Sequence, residues 1–315
     1  MRYQNPVFDE YFADPFVWKA GAEYFAVGTG REELAGVRES AGWVFSMLHS
    51  RDLVHWKCLG EALERPDPKF GGTFWAPEVA AANGRYWMYY SVGFGDKHHQ
   101  IRVAVADEPP GPFRDVHPAP LIAPDDQPFA IDAHPFRDDD GQWYLFYARD
   151  FLDGDRPGTA LACDRLETMD RVAGQPWTVL RAQHDWQRFQ ANRPMYGGLY
   201  DWHTLEGPAV IKHGAKYYLF YSSGRWENET YGVDYAVADR ITGPWTSDGN
   251  EAGPRVLHTI PGKVIGPGHN SIVTGPDGKD YMAYHAWDAN MARRQLCIAP
   301  ISWTRQGPRC KTEAE

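Results

Sequence analysis

Apolar and polar residues alternate over short runs that Gly, Pro and Asp interrupt, and helical periodicity is scarce. That pattern predicts an all-β protein. One module comes round five times. The copies open at Ala13-Asp14-Pro15, Ala76-Pro77-Glu78-Val79, Ile131-Asp132-Ala133-His134, Leu205-Glu206-Gly207-Pro208 and Pro267-Gly268-His269-Asn270. A strand-like run, a Gly turn and an aromatic strand follow each opening. The turns fall at Gly21, Asn83-Gly84, Asp139-Asp140-Gly141, Gly214 and Asp277-Gly278. The aromatic strands begin at Tyr24, Tyr86, Trp143, Tyr217 and Tyr281. Asn-Gly and Asp-Gly are strong hairpin signals.

Each module has a second half, with strand patterns over residues 43–48, 100–106, 159–163, 231–238 and 295–301. Four strands per module and five modules predict a five-bladed β-propeller. Modules that cannot bury their own faces must stack, which predicts a single domain over residues 1–315. The openings at Asp14, Glu78, Asp132, Glu206 and His269 lie 64, 54, 74 and 63 residues apart. A propeller repeat is usually ~40–50 residues, so long loops are expected. The longest, over residues 183–204, carries Trp186, Phe189, Tyr196, Tyr200 and Trp202. Such a loop either shapes a binding site or packs on its own rings. Residues after Trp303 read as a frayed end.

Composition narrows the function. Aromatics make up 14% of the chain, with 13 Trp, which suits packed sheets and a sugar-binding surface. A net charge of −10, with no Lys/Arg cluster beyond short pairs such as Arg293-Arg294, argues against a nucleic-acid partner, which needs a basic patch. Cys58, Cys163, Cys297 and Cys310 lack the spacing of a zinc or redox site. The first three lie in or beside strand-like runs and are predicted buried, with Cys310 exposed in a polar tail. No apolar stretch reaches membrane-span length. The first residues lack the apolar core of a secretion signal, so a cytoplasmic location is expected, although a leader removed beforehand would leave the same sequence.

In a ring of modules the openings converge, so Asp14, Glu78, Asp132 and Glu206 are candidates for one acidic cluster. Crowded carboxylates split their pKa values. Hydrolysis of a glycosidic bond needs that split: one group protonated, one ionised. Three of the acids also have a structural reading, whereas Glu206 before Gly207-Pro208 sits in a poor place for a merely solvated acid. Asp14 before Pro15 suits an Asx turn, Asp132 could pair with Arg137, and Glu78 could bond the backbone of the next module. His269 fits either a satisfied buried imidazole or a group that bonds a carboxylate or holds water or a cation. Asp138-Asp139-Asp140-Gly141 lacks the ligand alternation of a calcium loop and reads as a hairpin turn.

With these residues the chain resembles glycoside hydrolase family 43. The resemblance runs from about Asn5 to Trp303. It rests on Ala13-Asp14-Pro15, Trp75-Ala76-Pro77-Glu78-Val79, Ile131-Asp132, Glu206-Gly207-Pro208 and Gly268-His269-Asn270-Ser271. It implies a five-bladed propeller and an inverting glycosidase acting on arabinose- or xylose-containing plant saccharides. It implies Asp14 as general base, Glu206 as general acid, and Asp132 as the acid that tunes and aligns Glu206. Trp75 is implied as an aromatic wall, and Arg294, with Arg293 as its rival, as the arginine near the sugar hydroxyls. Phe16 joins them in the expected substrate-binding set. His269 is the implied channel histidine and the candidate ligand for a calcium or sodium ion; no cofactor is required. The chain as given is expected to hold one propeller and no β-sandwich domain of the kind many xylosidases carry. That favours an exo-acting α-L-arabinofuranosidase over β-D-xylosidase, galactan-type activity or a non-catalytic carbohydrate-binding propeller.

Overall fold

A computed structural model describes residues 2–30, 43–115 and 117–312 of the protein. The described residues are nearly all β, and their helical content is two short 3₁₀ turns, Pro68–Phe70 and Asp185–Gln187. The first sheet holds β1 (Ala13–Ala20), β2 (Glu23–Thr29), β3 (Trp43–Ser50) and β4 (Lys57–Glu64) in sequence order. Next come β5 (Thr73–Ala82), β6 (Arg85–Phe94) and β7 (Lys97–Ala106), again in order. A nine-stranded sheet follows. It comprises β8 (Ala130–Arg137), β9 (Trp143–Phe151), β10 (Gly158–Thr168), β11 (Arg171–Val172), β12 (Trp177–Leu180), β13 (Arg188–Met195), β14 (Gly198–His213), β15 (Lys216–Ser223) and β16 (Gly232–Ala238). A parallel pairing of only two residue pairs, Gly158–His203 and Thr159–Thr204, joins its halves β8–β10 and β14–β16. The last sheet is β17 (Ile265–Thr274), β18 (Asp280–Trp287), β19 (Arg294–Thr304) and β20 (Gly307–Cys310).

The predicted Gly turns join β1–β2, β5–β6, β8–β9, β14–β15 and β17–β18. Five strands, β1, β5, β8, β14 and β17, each touch the next, and β17 touches β1. Packing between the modules follows the same cycle. Five buried apolar clusters each draw side chains from two successive modules, and one of them joins the last to the first. Strand alternation is what makes this possible. On β9, Leu145 and Tyr147 point into the cluster shared with β5–β7, while Phe146 and Ala148 point into the one shared with β14–β16. Burial of each large side chain contributes roughly 1.5–3 kcal/mol. The N-terminal segment closes the cycle by bonding the last sheet: Val7 N and Phe12 N donate to Leu296 O and Arg294 O, at 2.9 and 2.8 Å.

The structure corrects three expectations, on strand number, chain end and cysteines, and shows one of the two open readings of the long loop. Four strands per module is too regular, because beyond β7 and β16 the fourth strand shrinks to isolated bridges such as Val105–Arg114 and Val237–Thr246. Residues 188–203 form a hairpin whose rings pack on one another, with Trp202 buried against Tyr196 and Tyr200. The segment after Trp303 is not frayed, since β20 pairs with β19. Cys163 and Cys297 are buried, but Cys58 is exposed and Cys310 half-buried.

Candidate active site

Each of the five inner strands is broken by the same bulge. Register slips at Ala13/Phe16, Trp75/Glu78, Ile131/His134, Glu206/Ala209 and Gly268/Ser271. The first residue inside each bulge is left-handed: Asp14 (φ 50), Ala76 (φ 45), Asp132 (φ 58), Gly207 (φ 55) and His269 (φ 47). A left-handed non-glycine costs roughly 1–2 kcal/mol, and such strain gathers at functional sites. Bulges also re-aim side chains.

The bulges correct the sequence register. Asp14, Asp132 and His269 are equivalent positions, as expected. Glu206 stands one residue before its bulge, at the place of Ala13, Trp75, Ile131 and Gly268. Glu78 comes after its bulge, level with Phe16 and His134, and leaves the cluster. It bonds His134 Nδ1 at 2.7 Å, and His134 Nε2 accepts from Val210 N at 3.0 Å. That places Glu78 in a buried link between modules. Phe16 is likewise not brought to the acids. It stacks on Trp18 and lines a cavity of about 320 Å³ with Val79, His134, Pro135 and Ile272, further along the inner strands.

Asp14, Asp132, His269 and Arg294 do come together, all buried. Asp14 Oδ1 accepts from Arg294 Nη1 at 3.1 Å and faces His269 Nδ1 at 3.4 Å. Its own amide donates to His285 Nδ1 at 3.1 Å. Burial works against the Asp14 charge, but the Arg294 guanidinium overrides it and holds the carboxyl well below the usual range. Burial also lowers His285, to about 4. Its Nδ1 accepts from the Asp14 amide, so His285 acts on Asp14 through the backbone and not as a cation.

Asp132 Oδ2 accepts the Gly207 N–H at 2.9 Å and lies 4.0 Å from His269 Nδ1. Gly207 must be bare: besides its positive φ, a Cβ there would stand 3.2 Å from the His269 ring. Glu206 Oε1 accepts from the buried Tyr231 hydroxyl at 2.6 Å. Burial first, and then the charge of Asp14, pushes Glu206 up to about 7 against the pull of Tyr231. Asp132 is raised as well, by burial and then by the charges of Glu206 and Asp14. One carboxylate held ionised beside carboxyls pushed toward their protonated form is the split that acid–base chemistry needs.

Aromatics wall the site. The Arg294 guanidinium lies 4.5 Å over the Trp226 ring, and its Nη2 donates to Tyr11 Oη at 2.8 Å. Trp226 stacks on Trp287, and Tyr231 on His285. Trp75, level with Glu206 in the register, stacks on His99 at 3.7 Å. Arg293 points away and pairs with Asp288 on the surface, so Arg294 is the arginine of the site. Residue spacing left Tyr11, Trp226, Tyr231 and His285 unnoticed, because each reaches the acids from another strand or loop. Among the described residues, no group of three or more His, Cys, Asp or Glu side chains is arranged to hold a metal ion. No described helix is long and apolar enough to cross a membrane.

The comparisons agree with this geometry. The model of glycosyl hydrolases family 43 matches residues 3–308. The chain is 28% identical to the Beta-D-galactofuranosidase xynD of Aspergillus niger, over 96% of this chain and 83% of that protein. It is 27% identical to the extracellular endo-alpha-(1->5)-L-arabinanase 1 of Bacillus subtilis, over 95% of this chain and 88% of the relative. The crystal structure of a thermostable family-43 glycoside hydrolase superposes with a TM-score of 0.82 at 28% identity, covering 100% of this chain and 98% of that one. The chain belongs to glycosyl hydrolases family 43 and is a glycoside hydrolase.

Proposed function

We propose that the protein is an inverting, exo-acting α-L-arabinofuranosidase, built as one five-bladed β-propeller domain over residues 1–315. The cyclic contacts of five inner strands and the five clusters between modules support the blade count. The observation that carries the reaction is the opposed pair: Asp14 ionised against Arg294, and Glu206 poised near neutral pH by burial. Asp14 takes a proton from a water molecule as the water oxygen bonds the anomeric carbon. Glu206 gives its proton to the departing oxygen as the glycosidic bond breaks. The water enters opposite the leaving group, so the centre inverts. That geometry needs roughly 6.5–9.5 Å between the two carboxyls, the separation expected here for Asp14 and Glu206.

Asp132 aligns the acid through the Gly207 amide, the peptide that follows Glu206. Arg294 and His269 serve the sugar hydroxyls, and Trp75 forms a wall of the pocket. No step passes through a metal ion. A five-membered sugar suits the two relatives named above, which by their names act on galactofuranosides and on α-(1->5)-L-arabinan. The test is turnover of 4-nitrophenyl α-L-arabinofuranoside against 4-nitrophenyl β-D-xyloside. Clear preference for the arabinofuranoside is expected; preference for the xyloside overturns the sugar assignment.

A further inference from the structure

The five amides that open the bulges obey one rule, and the rule has one break. Four of them donate to a side chain on the second strand of the preceding module. Ala76 N donates to Thr29 Oγ1 at 2.9 Å, Asp132 N to Ser91 Oγ at 3.0 Å, His269 N to Ser222 Oγ at 2.7 Å and Asp14 N to His285 Nδ1 at 3.1 Å. These acceptors are equivalent by register. Thr29 pairs with Ala13, Ser91 with Trp75, Ser222 with Glu206 and His285 with Gly268, always the residue before the bulge. The equivalent residue of the third module is Ala148, paired with Ile131 and fully buried. It has no acceptor. The amide it would hold, Gly207 N, donates to Asp132 Oδ2 instead.

We propose that Ala148 is a positioning residue for the acid: its missing hydroxyl frees the Gly207 amide for Asp132, and so locks the Glu206–Gly207 peptide against that carboxylate. The inference rests on the acid role of Glu206 given above. A backbone N–H bonds one acceptor well. A hydroxyl at 148 would stand where Ser91 and Ser222 stand and would divide the Gly207 hydrogen with Asp132. A shared hydrogen bonds each of its two acceptors less well than it bonds one. The acid would then be held in two ways rather than one. Glu206 is otherwise tied by a single side-chain bond, to Tyr231. Its other charged neighbours, Asp14, Arg294 and Arg193, act through space.

Leaving-group dependence reads the acid directly, because a poor leaving group needs a proton and a good one does not. Parent, Ala148→Ser, Ala148→Cys and Ala148→Gly are assayed on a 2,4-dinitrophenyl and an alkyl α-L-arabinofuranoside, with thermal melts to confirm folding. For Ala148→Ser the alkyl glycoside slows by about tenfold, a part of the 10²–10⁴ that acid–base help supplies. The dinitrophenyl glycoside slows far less, and KM stays put for both. Ala148→Cys, whose sulfur is a weak acceptor, shifts the ratio of the two rates the same way by less, and carries the test if the Ser variant does not fold. Ala148→Gly offers no acceptor and keeps the parent's ratio. A parent-like ratio in the folded Ser and Cys variants overturns this assignment alone. Should the parent prefer xylosides, the same series is run on the 2,4-dinitrophenyl and alkyl β-D-xylosides; a parent that turns over neither sugar's glycosides overturns the acid role and this assignment with it.

Discussion

Arg294 Nη1 donates to Asp14 Oδ1 at 3.1 Å, joining residues 280 positions apart in the chain. The same guanidinium bonds Tyr11 and lies over Trp226, so its plane is held from three sides. Lysine cannot reproduce that fork. In Arg294→Lys the Asp14 carboxyl is less well held as an anion, and its pKa rises. Asp14 must be ionised to activate water, so the acid limb of kcat/KM moves to higher pH. A pH–rate profile checks this; an acid limb unchanged from the parent contradicts it.

Glu206 carries the opposite limb. It must be protonated, and its carboxyl is pushed up to about 7, so kcat/KM falls as pH rises past neutral. The Tyr231 hydroxyl favours the ionised form. Tyr231→Phe keeps the ring that stacks on His285 and removes that donor. The alkaline limb then moves to still higher pH. A downward move would mean that Tyr231 does not lower the acid's pKa.

The same shift predicts a cost in stability. The folded pKa of Glu206 lies above its unfolded value, so its contribution is fully present below pH ~4.5 and is lost as pH rises through about 7. Above that, enclosing the charge costs on the order of 3 kcal/mol, at 1.36 kcal/mol per unit. Glu206→Gln should therefore raise Tm relative to the parent at pH 8 and change it little at pH 4. Equal shifts at both pH values would show that the charge is relieved elsewhere.

Gly268 packs against the edge of Tyr231 so closely that a Cβ would stand 2.0 Å from a ring carbon. Gly268→Ala should displace Tyr231 and loosen its bond to Glu206. The expected result is a lower Tm together with a loss of kcat larger than any change in KM. Unchanged melting and activity would show that the ring can step aside.

Much of this site was legible in the sequence, and the rest was hidden for a definable reason. Short alternating runs and Gly turns revealed the strands, because backbone period and turn chemistry are local. Asp14, Asp132 and His269 stood out as matched positions, and the bulges bear out that match. Glu78 misled because its motif begins at the right place but the bulge at Ala76 carries it past the cluster toward His134. Phe16 misled for the same reason, level with His134 and turned to another cavity. A bulge adds one residue to a period-2 pattern, and alternation alone does not reveal where it falls. Tyr231 and His285 escaped because their meaning lies in contacts between modules, with Glu206 and with the amide of Asp14.

Stereochemistry tests the opposed pair most directly. Proton NMR of the first sugar released from 4-nitrophenyl α-L-arabinofuranoside, followed before mutarotation, should show the β anomer. Initial release of the α anomer would mean a retained centre and a covalent step, and would contradict water attack driven by Asp14.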